Sequence, residues 1–396
     1  MTASYFNPVK LVHGPGALAR LPALLAEIGI ARPLVVTDAT VAAQPFFGDA
    51  LGRLADAGLP IAIFDGCLID ARASHIQEQA ARVKAEGLDG VLGIGGGSIM
   101  CCAKGIATLV PNGAEIRPLE KSAAIKAAAL PTLLVPTTAG SGTEVSPSTI
   151  VKDDINGGKF TFVSPLAFAR TAILDPVVLE AIPPGLSAIS AADALTHAVE
   201  AVLSYVATPL TDAIALGAVR ALVSSVRGSI KDNEEAARAD HLLAATMANL
   251  ACGAAKLGLG HRLSRPLEET FSVNHGRGVG TIMLRATDYL GGRFPEKLPA
   301  LAQAFGLEAE GRPEALKGRI VAAIAALYEE IGFPARFDAE RVDASRLREM
   351  AEMAVTRTTD EAPPPAVIDG DTLISGSNGQ QITVRDAEAL YRACMA

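Results

Sequence analysis

The sequence predicts two domains of different class: an α/β domain with a parallel sheet over residues 1–183, and an all-α domain over residues 184–396. Three observations support this division. Short strand-like runs alternate with helical segments in the first part, long amphipathic helical segments fill the second, and the breaker cluster Pro183-Pro184-Gly185 lies between them. A chain of 396 residues, 49% of them hydrophobic, is long enough to build two cores.

Four short apolar runs in the first part are typical of buried strands; they cover residues 33–38, 61–65, 91–94 and 133–136. Helical patterns lie between them, for example over residues 76–84 and 100–109. Alternation of this kind requires crossover connections that place helices over the sheet. We therefore expect a parallel sheet covered on both faces.

The second part is dominated by helical periodicity. Six Ala- and Leu-rich segments carry it, at residues 191–204, 211–225, 234–255, 313–331, 344–355 and 385–394. Runs of β-branched residues are scarce here, so the domain is predicted to be all-helical. Residues 360–365 contain three consecutive prolines and are predicted to form a surface loop.

The composition excludes several classes of partner. The net charge is −8 and no cluster of Lys and Arg occurs, so we expect no nucleic-acid partner. The longest uncharged stretches contain Pro, Gly and Thr, which fit strands and turns better than a membrane span, so we expect no membrane association. The five cysteines show no disulfide or zinc-ribbon spacing, and the first residues show no signal-peptide pattern. A cytoplasmic location follows as an expectation.

One aspartate and three histidines form a spaced set: Asp193, His197, His261 and His275. Asp193 and His197 are four residues apart in a predicted helix, so both side chains can reach one point. Three imidazoles and one carboxylate suit a divalent metal such as Zn²⁺ or Fe²⁺. A metal held in this way can still accept a substrate oxygen.

Each of these residues also has an ordinary explanation. Ser190 and Asp193 have the spacing of a capping box, in which Asp193 would stabilise the start of a helix. His261 and His275 are each compatible with a polar position on a loop or at a helix end. The metal site is therefore a hypothesis that depends on the four residues together.

Two loops rich in glycine and hydroxyl groups follow predicted strands. The first contains Gly95, Gly96, Gly97 and Ser98, and the second, residues 136–144, contains Thr137 and Thr138. Glycines at a strand-to-helix turn let the backbone approach a pyrophosphate at the helix N-terminus, although a plain tight turn explains either loop alone. Two such loops suit a nucleotide lying across the edge of a Rossmann-like sheet.

Asp38 ends the first of the predicted strands. An acid at this place can accept hydrogen bonds from a ribose 2′-OH and repel a 2′-phosphate, which favours NAD over NADP. In the usual dinucleotide fingerprint the acid follows the glycine loop, whereas here it precedes it. A turn residue at a strand end explains Asp38 equally well.

The order and spacing of these motifs resemble the iron-containing (group III) alcohol dehydrogenases of the dehydroquinate-synthase-like superfamily, over nearly the whole chain. The matching stretches include residues 14–18, 35–38, 95–98, 136–144, 193–200 and 261–276. The resemblance implies an N-terminal nucleotide-binding domain, a C-terminal metal-binding domain, and a cleft where metal and nicotinamide meet. It also implies a homodimer or a larger homo-oligomer.

The resemblance assigns roles by position. It implies a metal set of Asp193, His197, His261 and His275, a pyrophosphate loop of Gly95, Gly96, Gly97 and Ser98, further cofactor contacts at Thr137, Thr138 and Lys159, and Asp38 as the residue that selects NAD(H) over NADP(H). The implied reaction is hydride transfer between nicotinamide and a small alcohol or aldehyde. Fe²⁺ or Zn²⁺ would act as Lewis acid on the substrate oxygen.

Four positions depart from the family pattern. Arg265 stands where a proton-relaying histidine is usual, and Cys101 stands where an aspartate is usual. Asp70-Ala71 replaces an Asn-Pro pair, and residues 375–379 replace a C-terminal Asn-Pro-Arg segment. Cys101 lies at the start of the predicted phosphate-binding helix, where either a lowered thiol pKa or simple packing is compatible with the sequence.

Arg265 bears on the substrate. An arginine cannot act as a base near neutral pH, and a buried arginine needs an anionic partner. We place Arg265 in the catalytic site and predict a substrate that carries a carboxylate, phosphonate or sulfonate, with Arg262 and Arg277 close by in sequence. The alternative is an ion pair with a protein carboxylate such as Glu268, or with the cofactor phosphates.

Two other functions stay open at this point. A dehydroquinate-synthase-like lyase combines NAD, a metal and the same architecture, and it would show no net change in NADH. A non-catalytic metal-binding relative would keep the ligands and show no turnover. A dehydrogenase in which NAD stays bound and an external acceptor reoxidises it is a further variant.

Overall fold

The computed structural model describes residues 4–356, 367–368 and 371–395. Residues 360–365, predicted as a surface loop, lie outside the described part of the chain. Phe6–Ile182 form one compact unit, and the described residues from Pro183 onward form the core of a second. The division falls one residue from the boundary expected at the Pro183-Pro184-Gly185 cluster.

The first unit contains eight strands: β1 (Lys10–His13), β2 (Pro33–Val36), β3 (Ala62–Phe64), β4 (Gly90–Gly95), β5 (Thr132–Pro136), β6 (Ser148–Lys152), β7 (Lys159–Val163) and β8 (Thr171–Leu174). Six of them form one sheet of order β3-β2-β4-β5-β8-β1, and every pairing in it is parallel. The predicted parallel sheet is confirmed. The central strands are buried along their whole length, as continuous apolar runs require.

The strand order has a switch point between β2 and β4. From β2 the chain moves outward to β3, and it then returns to pair β4 with the other side of β2. Ligands of open parallel sheets bind at the carboxyl ends of the strands beside such a point. The loops after β2 and β4 are therefore placed to form a binding crevice.

Five helices flank this sheet in sequence: α1 (Leu21–Glu27), α2 (Ala39–Ala42), α3 (Pro45–Asp56), α4 (Ala73–Glu86) and α5 (Gly97–Asn112). Helix α5 is buried on nearly all sides between Ile99 and Leu109, so its sequence is mostly apolar instead of amphipathic, with Lys104 and Thr108 as polar exceptions. Strands β6 and β7 form a separate antiparallel hairpin.

The second unit contains nine described helices: α6 (Pro184–Val202), α7 (Pro209–Ile230), α8 (Glu235–Ala255), α9 (Leu259–Phe271), α10 (His275–Gly291), α11 (Leu298–Ala304), α12 (Pro313–Ile331), α13 (Leu347–Thr356) and α14 (Val384–Met395). The six predicted segments correspond to α6, α7, α8, α12, α13 and α14. The helical class is confirmed with one addition, an antiparallel sheet of β9 (Val367–Ile368), β10 (Asp371–Ser375) and β11 (Gln381–Thr383).

Helix α6 begins earlier than the periodicity indicated, at Pro184, directly after Pro183. Proline suits the first helical position because its φ is already helical and it has no N–H to satisfy. Ser190 and Asp193 consequently lie inside the helix, so the capping-box interpretation of Asp193 does not apply.

Among the described helices, α7 alone is long and apolar enough by itself to cross a membrane, and 44% of its apolar window is buried within the protein. Helices α8 and α9 pass the same test only as a pair bent by 102°. Helices buried in the core of water-soluble proteins have the same length and composition.

Candidate metal and cofactor sites

The four predicted metal ligands meet at one place in the helical unit. Asp193 and His197 lie one turn apart on α6, His261 is in the first turn of α9, and His275 is the first residue of α10. Asp193 Oδ1 lies 3.6 Å from His197 Nδ1, 3.7 Å from His261 Nε2 and 3.9 Å from His275 Nε2. One carboxylate oxygen is thus the common neighbour of three imidazole nitrogens.

These distances approach those of a single coordination sphere. The ligand atoms of Asp193, His261 and His275 lie within 4.8 Å of one another, whereas His197 reaches the Asp193 oxygen without joining that mutual group. Ligands 2.0–2.2 Å from a tetrahedral ion stand about 3.4 Å apart. The observed spacing therefore fits one ion after small side-chain adjustments.

The buried ligand atoms lack other partners. Asp193 Oδ1, His197 Nδ1 and His261 Nε2 accept or donate no hydrogen bond within the part of the chain that the structure describes. A buried polar atom left unsatisfied costs about 1–3 kcal/mol, so three of them around one point require an explanation. A divalent metal at this point would satisfy all three atoms. Burial lowers the pKa of His197 to about 4, which keeps this imidazole neutral, as a metal ligand must be.

Two carboxylates orient two of the histidines. His261 Nδ1 lies 2.7 Å from Glu200 Oε2, and His275 Nδ1 lies 2.7 Å from Glu268 Oε1, which also accepts a hydrogen bond from Ser264 Oγ. With Nδ1 donating to a carboxylate, Nε2 of each imidazole carries the lone pair that a metal needs. Burial opposes ionisation of Glu200, but His261 and the surrounding N–H groups hold the pKa of its carboxyl below the usual value.

The sequence interpretation gave these two glutamates no role at the metal. Glu200 lies three residues after His197 on α6, and Glu268 lies seven residues after His261 on α9. Both intervals place the glutamate on the same helix face as the ligand. Helical spacing from each proposed ligand was therefore the available signal.

The three arginines near the ligands in sequence separate in the fold. Arg262 donates to the carbonyl of Val355 at 3.3 Å, and Arg277 donates to that of Arg336 at 3.3 Å. Arg265 instead lies half-buried one turn after His261, on the face of α9 that also bears Glu268. Of the three, Arg265 is the one that lies a full helical turn from His261 on the same helix.

Arg265 also acts on His275 electrostatically. Burial and the guanidinium charge both lower the pKa of His275, whereas the carboxylates of Glu268 and Asp193 raise it, and the net pKa is about 9. The carboxylates therefore dominate the field at this imidazole.

In the first unit, the predicted cofactor residues lie at the carboxyl ends of three adjacent strands. Asp38 follows β2, Gly95 ends β4 and is followed by α5, and Thr137 follows β5. The Thr137 N–H donates to the Gly95 carbonyl at 3.0 Å, which joins the two glycine-hydroxyl loops. This is the edge where the switch point between β2 and β4 lies.

The glycines of the first loop are required by the second loop. A Cβ on Gly97 would lie 2.9 Å from Ser141 Oγ, and one on Gly96 would lie 3.3 Å from Thr138 Cγ2. The two loops therefore approach each other closely at the N-terminus of α5, where Gly96, Gly97 and Ser98 are half-buried. This arrangement can bind a pyrophosphate.

Ser98 and Lys159 are connected through Asp70. The Asp70 N–H donates to Ser98 Oγ at 3.1 Å, and the Asp70 carboxylate pairs with Lys159 Nζ at 2.8 Å. Asp70 adopts a φ of 64°, which is uncommon for a residue with a side chain. The residue that replaces the family asparagine therefore holds a predicted cofactor lysine beside the first glycine loop.

Asp38 has a structural role in addition to its predicted one. Its Oδ1 accepts a hydrogen bond from the Val41 N–H at 2.8 Å and caps α2. Only one carboxylate oxygen is used in this bond.

Lys104 holds the end of the second glycine-hydroxyl loop and the residues that follow it by hydrogen bonds to their carbonyls. Its fully buried ammonium donates to the carbonyls of Thr143, Ser146 and Ser148. Burial lowers the pKa of Lys104 to about 8, and the nearby Cys101 and Glu144 oppose this shift.

The cysteines of α5 are packing residues. Cys101 and Cys102 are buried, and burial raises the pKa of the Cys101 thiol instead of lowering it. For Cys102, a hydrogen bond with Cys67 and burial raise the pKa further. A reactive thiolate at the start of α5 is therefore not supported.

Comparison with known proteins identifies the family of the chain. The model of the iron-containing alcohol dehydrogenase family matches residues 8–176, and the model of the C-terminal region of the Fe-containing alcohol dehydrogenase family matches residues 187–372. Lactaldehyde reductase of Escherichia coli K12 is 28% identical over 381 residues, covering 96% of each chain. The NAD-dependent methanol dehydrogenase of Bacillus methanolicus is 30% identical, covering 69% of this chain and 72% of the relative.

A crystal structure of 1,3-propanediol oxidoreductase superposes with a TM-score of 0.91 at 26% identity, covering all of both chains. The two family models together span most of this sequence. The chain therefore belongs to the iron-containing alcohol dehydrogenase family, whose members are oxidoreductases that act on CH–OH groups with a divalent metal and NAD.

Proposed function

We propose that this protein is an NAD-linked alcohol dehydrogenase or aldehyde reductase whose divalent metal is held by Asp193, His197, His261 and His275. The observation that carries the proposal is the convergence of three buried atoms without hydrogen bonds on one point, at Asp193 Oδ1, His197 Nδ1 and His261 Nε2. A bound metal supplies Lewis acidity toward a substrate oxygen, and nicotinamide supplies the hydride chemistry.

Residues around the proposed metal ligands and at the start of α5 are arranged to bind the metal and the cofactor. Glu200 and Glu268 hold Nδ1 of His261 and His275, which leaves each Nε2 free to bind a metal. His197 stays neutral because of its burial. In the other unit, the N-terminus of α5 presents Gly96, Gly97 and Ser98 to a pyrophosphate, with further contacts proposed from Thr137, Thr138 and Lys159.

The test is metal-dependent turnover. The metal-free protein is reconstituted separately with Fe²⁺ and Zn²⁺ and assayed with NAD(H) on a panel of small alcohols and aldehydes. We expect turnover with at least one metal, and a loss of at least about 100-fold in His261→Ala. Turnover without net change in NADH would support a lyase instead. A protein that binds the metal and turns over no member would support a non-catalytic relative.

Preference for NAD over NADP is the next part of the proposal, with Asp38 as the selecting residue. Its remaining carboxylate oxygen lies at the carboxyl end of β2, where a ribose 2′-OH would be accepted and a 2′-phosphate repelled. Asp38→Ser keeps a side-chain cap for α2 and removes the charge. We expect the ratio of kcat/KM for NAD to that for NADP to fall at least about tenfold, and an unchanged ratio would contradict the assignment.

We also propose a small anionic alcohol or aldehyde as substrate, recognised by Arg265. The support is the position of Arg265 one turn after His261 on the ligand face of α9, in contrast to Arg262 and Arg277. Arg265→Gln should raise KM for carboxylated, phosphonated or sulfonated aldehydes about tenfold or more and leave neutral aldehydes nearly unchanged. Arg262→Gln serves as the control. Equal effects on anionic and neutral aldehydes would reject this substrate class.

The cellular setting is proposed from the same family. Five free, buried cysteines within the described residues are compatible with a reducing compartment, so we propose a cytoplasmic enzyme.

We propose a homodimer or larger homo-oligomer, which light scattering after size-exclusion chromatography tests directly. A monomeric mass at micromolar concentration would contradict it.

A further inference from the structure

The N-terminus of α9, which carries His261, is capped entirely by side chains from elsewhere in the helical unit. Gly258 precedes the helix and offers no side chain of its own. Glu200 accepts from the N–H groups of Gly258, Gly260 and His261 at 2.8, 2.7 and 3.3 Å, and Gln380 accepts from the Leu259 N–H at 2.8 Å. All four N–H groups that a helix leaves unsatisfied at its start are therefore bonded.

Gln380 is also anchored to the other ligand-bearing helix. Its Nε2 donates to the carbonyl of Leu203, the residue directly after α6, at 2.6 Å. Because α6 carries Asp193 and His197, one buried amide connects the end of that helix to the start of α9. The two bonds join the C-terminal end of α6 to the first turn of α9, which carries His261.

The turn that carries Gln380 is itself fixed. Asn378 accepts from the Gln380 N–H at 3.1 Å, donates its own N–H to the Leu257 carbonyl at 3.1 Å, and accepts from the Tyr205 N–H at 3.1 Å. Both Asn378 and Gln380 are completely buried. The turn between β10 and β11 thus contacts the chain directly after α6 and directly before α9.

The glycines at the start of α9 confirm how closely these groups pack. A Cβ on Gly258 would lie 2.4 Å from Gln380 Oε1, and a Cβ on Gly260 would lie 2.8 Å from Glu200 Oε1. The two acceptors reach the backbone only because both positions lack a side chain.

From this network we infer that Gln380 is a positioning residue for the metal centre. It touches no proposed ligand side chain and acts through the backbone of α9 and the end of α6. The inference rests on the proposed function, because it assumes a metal at Asp193, His197 and His261. Gln380 directly follows residues 375–379, the segment that replaces the family's Asn-Pro-Arg sequence, and Asn378 of that segment holds it in place.

The test uses Co²⁺ as a spectroscopic probe in the full-length protein. Gln380→Met keeps the volume and removes both hydrogen bonds, and Gln380→Asn keeps the amide on a shorter side chain. Gln381→Met is the matched control, because Gln381 is exposed and, among the described residues, its amide donates to Ser375 Oγ at 3.4 Å. Affinity for Co²⁺ and the visible absorption bands of the bound ion are measured well below the melting temperature of each variant.

We expect Gln380→Met to weaken Co²⁺ binding 10- to 100-fold and to alter the visible bands, Gln380→Asn to have a smaller effect in the same direction, and Gln381→Met to match the wild type. Unchanged affinity and bands in folded Gln380→Met would overturn the inference, even if its melting temperature fell. Loss of folding in both Gln380 variants would also overturn it, since Gln380 would then be a general folding residue.

The proposed function fails in a distinguishable way. If the wild-type protein binds no Co²⁺, or if His261→Ala leaves Co²⁺ affinity and spectrum unchanged, the metal site itself is wrong and the role of Gln380 falls with it. If His261→Ala abolishes binding and Gln380→Met does not weaken it, only the positioning role is rejected.

Discussion

Glu200 and His261 form a buried carboxylate–imidazole pair in which Oε2 lies 2.7 Å from Nδ1, while the same carboxylate accepts three backbone N–H groups at the start of α9. The pair does two things at once. It satisfies a helix N-terminus, where negative charge is favoured by the helix dipole. It also fixes the tautomer of His261, so that Nε2 faces Asp193.

Removing the charge of Glu200 should weaken metal binding. Glu200→Gln keeps the size of the side chain but supplies a single acceptor oxygen where the structure uses two. We expect metal affinity to fall 10- to 100-fold by isothermal titration calorimetry. Glu235→Gln, at an exposed position in the first turn of α8, is the control. Equal affinities in the two variants would count against the orienting role of Glu200.

Metal binding should release a proton from His275 near neutral pH. The pKa of this imidazole is about 9 in the metal-free protein, so it is protonated at pH 7, whereas a metal requires its lone pair. Affinity should therefore rise by about tenfold per pH unit toward pH 9 and level off above it. His197, with a pKa of about 4, should contribute no proton between pH 6 and 9.

The measurement is calorimetry of metal binding at pH 7 in buffers of different ionisation enthalpy. About one proton per metal should pass to the buffer from His275. The raised pKa of His275 also affects the stability of the metal-free protein. Because this pKa in the folded protein lies above the ordinary histidine value of about 6.5, the imidazole stabilises the fold below pH 6.5. The contribution is lost as pH rises through about 9. Identical binding heats in all buffers would refute the prediction.

Gly97 should tolerate no side chain while Ser141 is present. The Cβ of Gly97→Ala would lie 2.9 Å from Ser141 Oγ and 3.1 Å from Ser141 Cβ, so the two loops must separate. Overpacking of this kind costs about 1–3 kcal/mol of unfolding free energy, and NAD affinity should fall as well. Gly97→Ala combined with Ser141→Gly should recover most of both losses. No recovery in the double variant would mean that the clash lies elsewhere.

Lys104 should stabilise the first unit through its three carbonyl acceptors. Lys104→Met removes the ammonium and leaves the carbonyls of Thr143, Ser146 and Ser148 without it, which should cost about 3 kcal/mol in urea denaturation. Lys126→Met, at an exposed position, should change stability by less than about 0.5 kcal/mol. A Lys104 variant as stable as the Lys126 control would show that solvent replaces the lost donor.

The class of each domain and most of the chemistry could be predicted from the amino-acid sequence alone. Apolar runs without alternation, such as residues 33–36, require a strand buried on both faces, and helical spacing brings Asp193 and His197 onto one face. Local periodicity is sufficient for such features because it depends on neighbours in the chain. It was insufficient for α9, where the interior Pro266 and a polar sequence hide a helix that other elements stabilise.

The residues around the proposed ligands could be identified only from contacts between distant parts of the helical unit. The contacts of Glu200 with Gly258 and of Gln380 with Leu259 join positions 58 and 121 residues apart, and no local pattern encodes such a pairing. Packing also separated Arg265 from Arg262 and Arg277, which the sequence had grouped together. Ligand types and their spacing along a helix are local properties of the sequence. The carboxylate that orients a histidine, the distant turn that caps α9 and the direction of a long arginine side chain are not local. They depend on which surfaces the fold brings into contact.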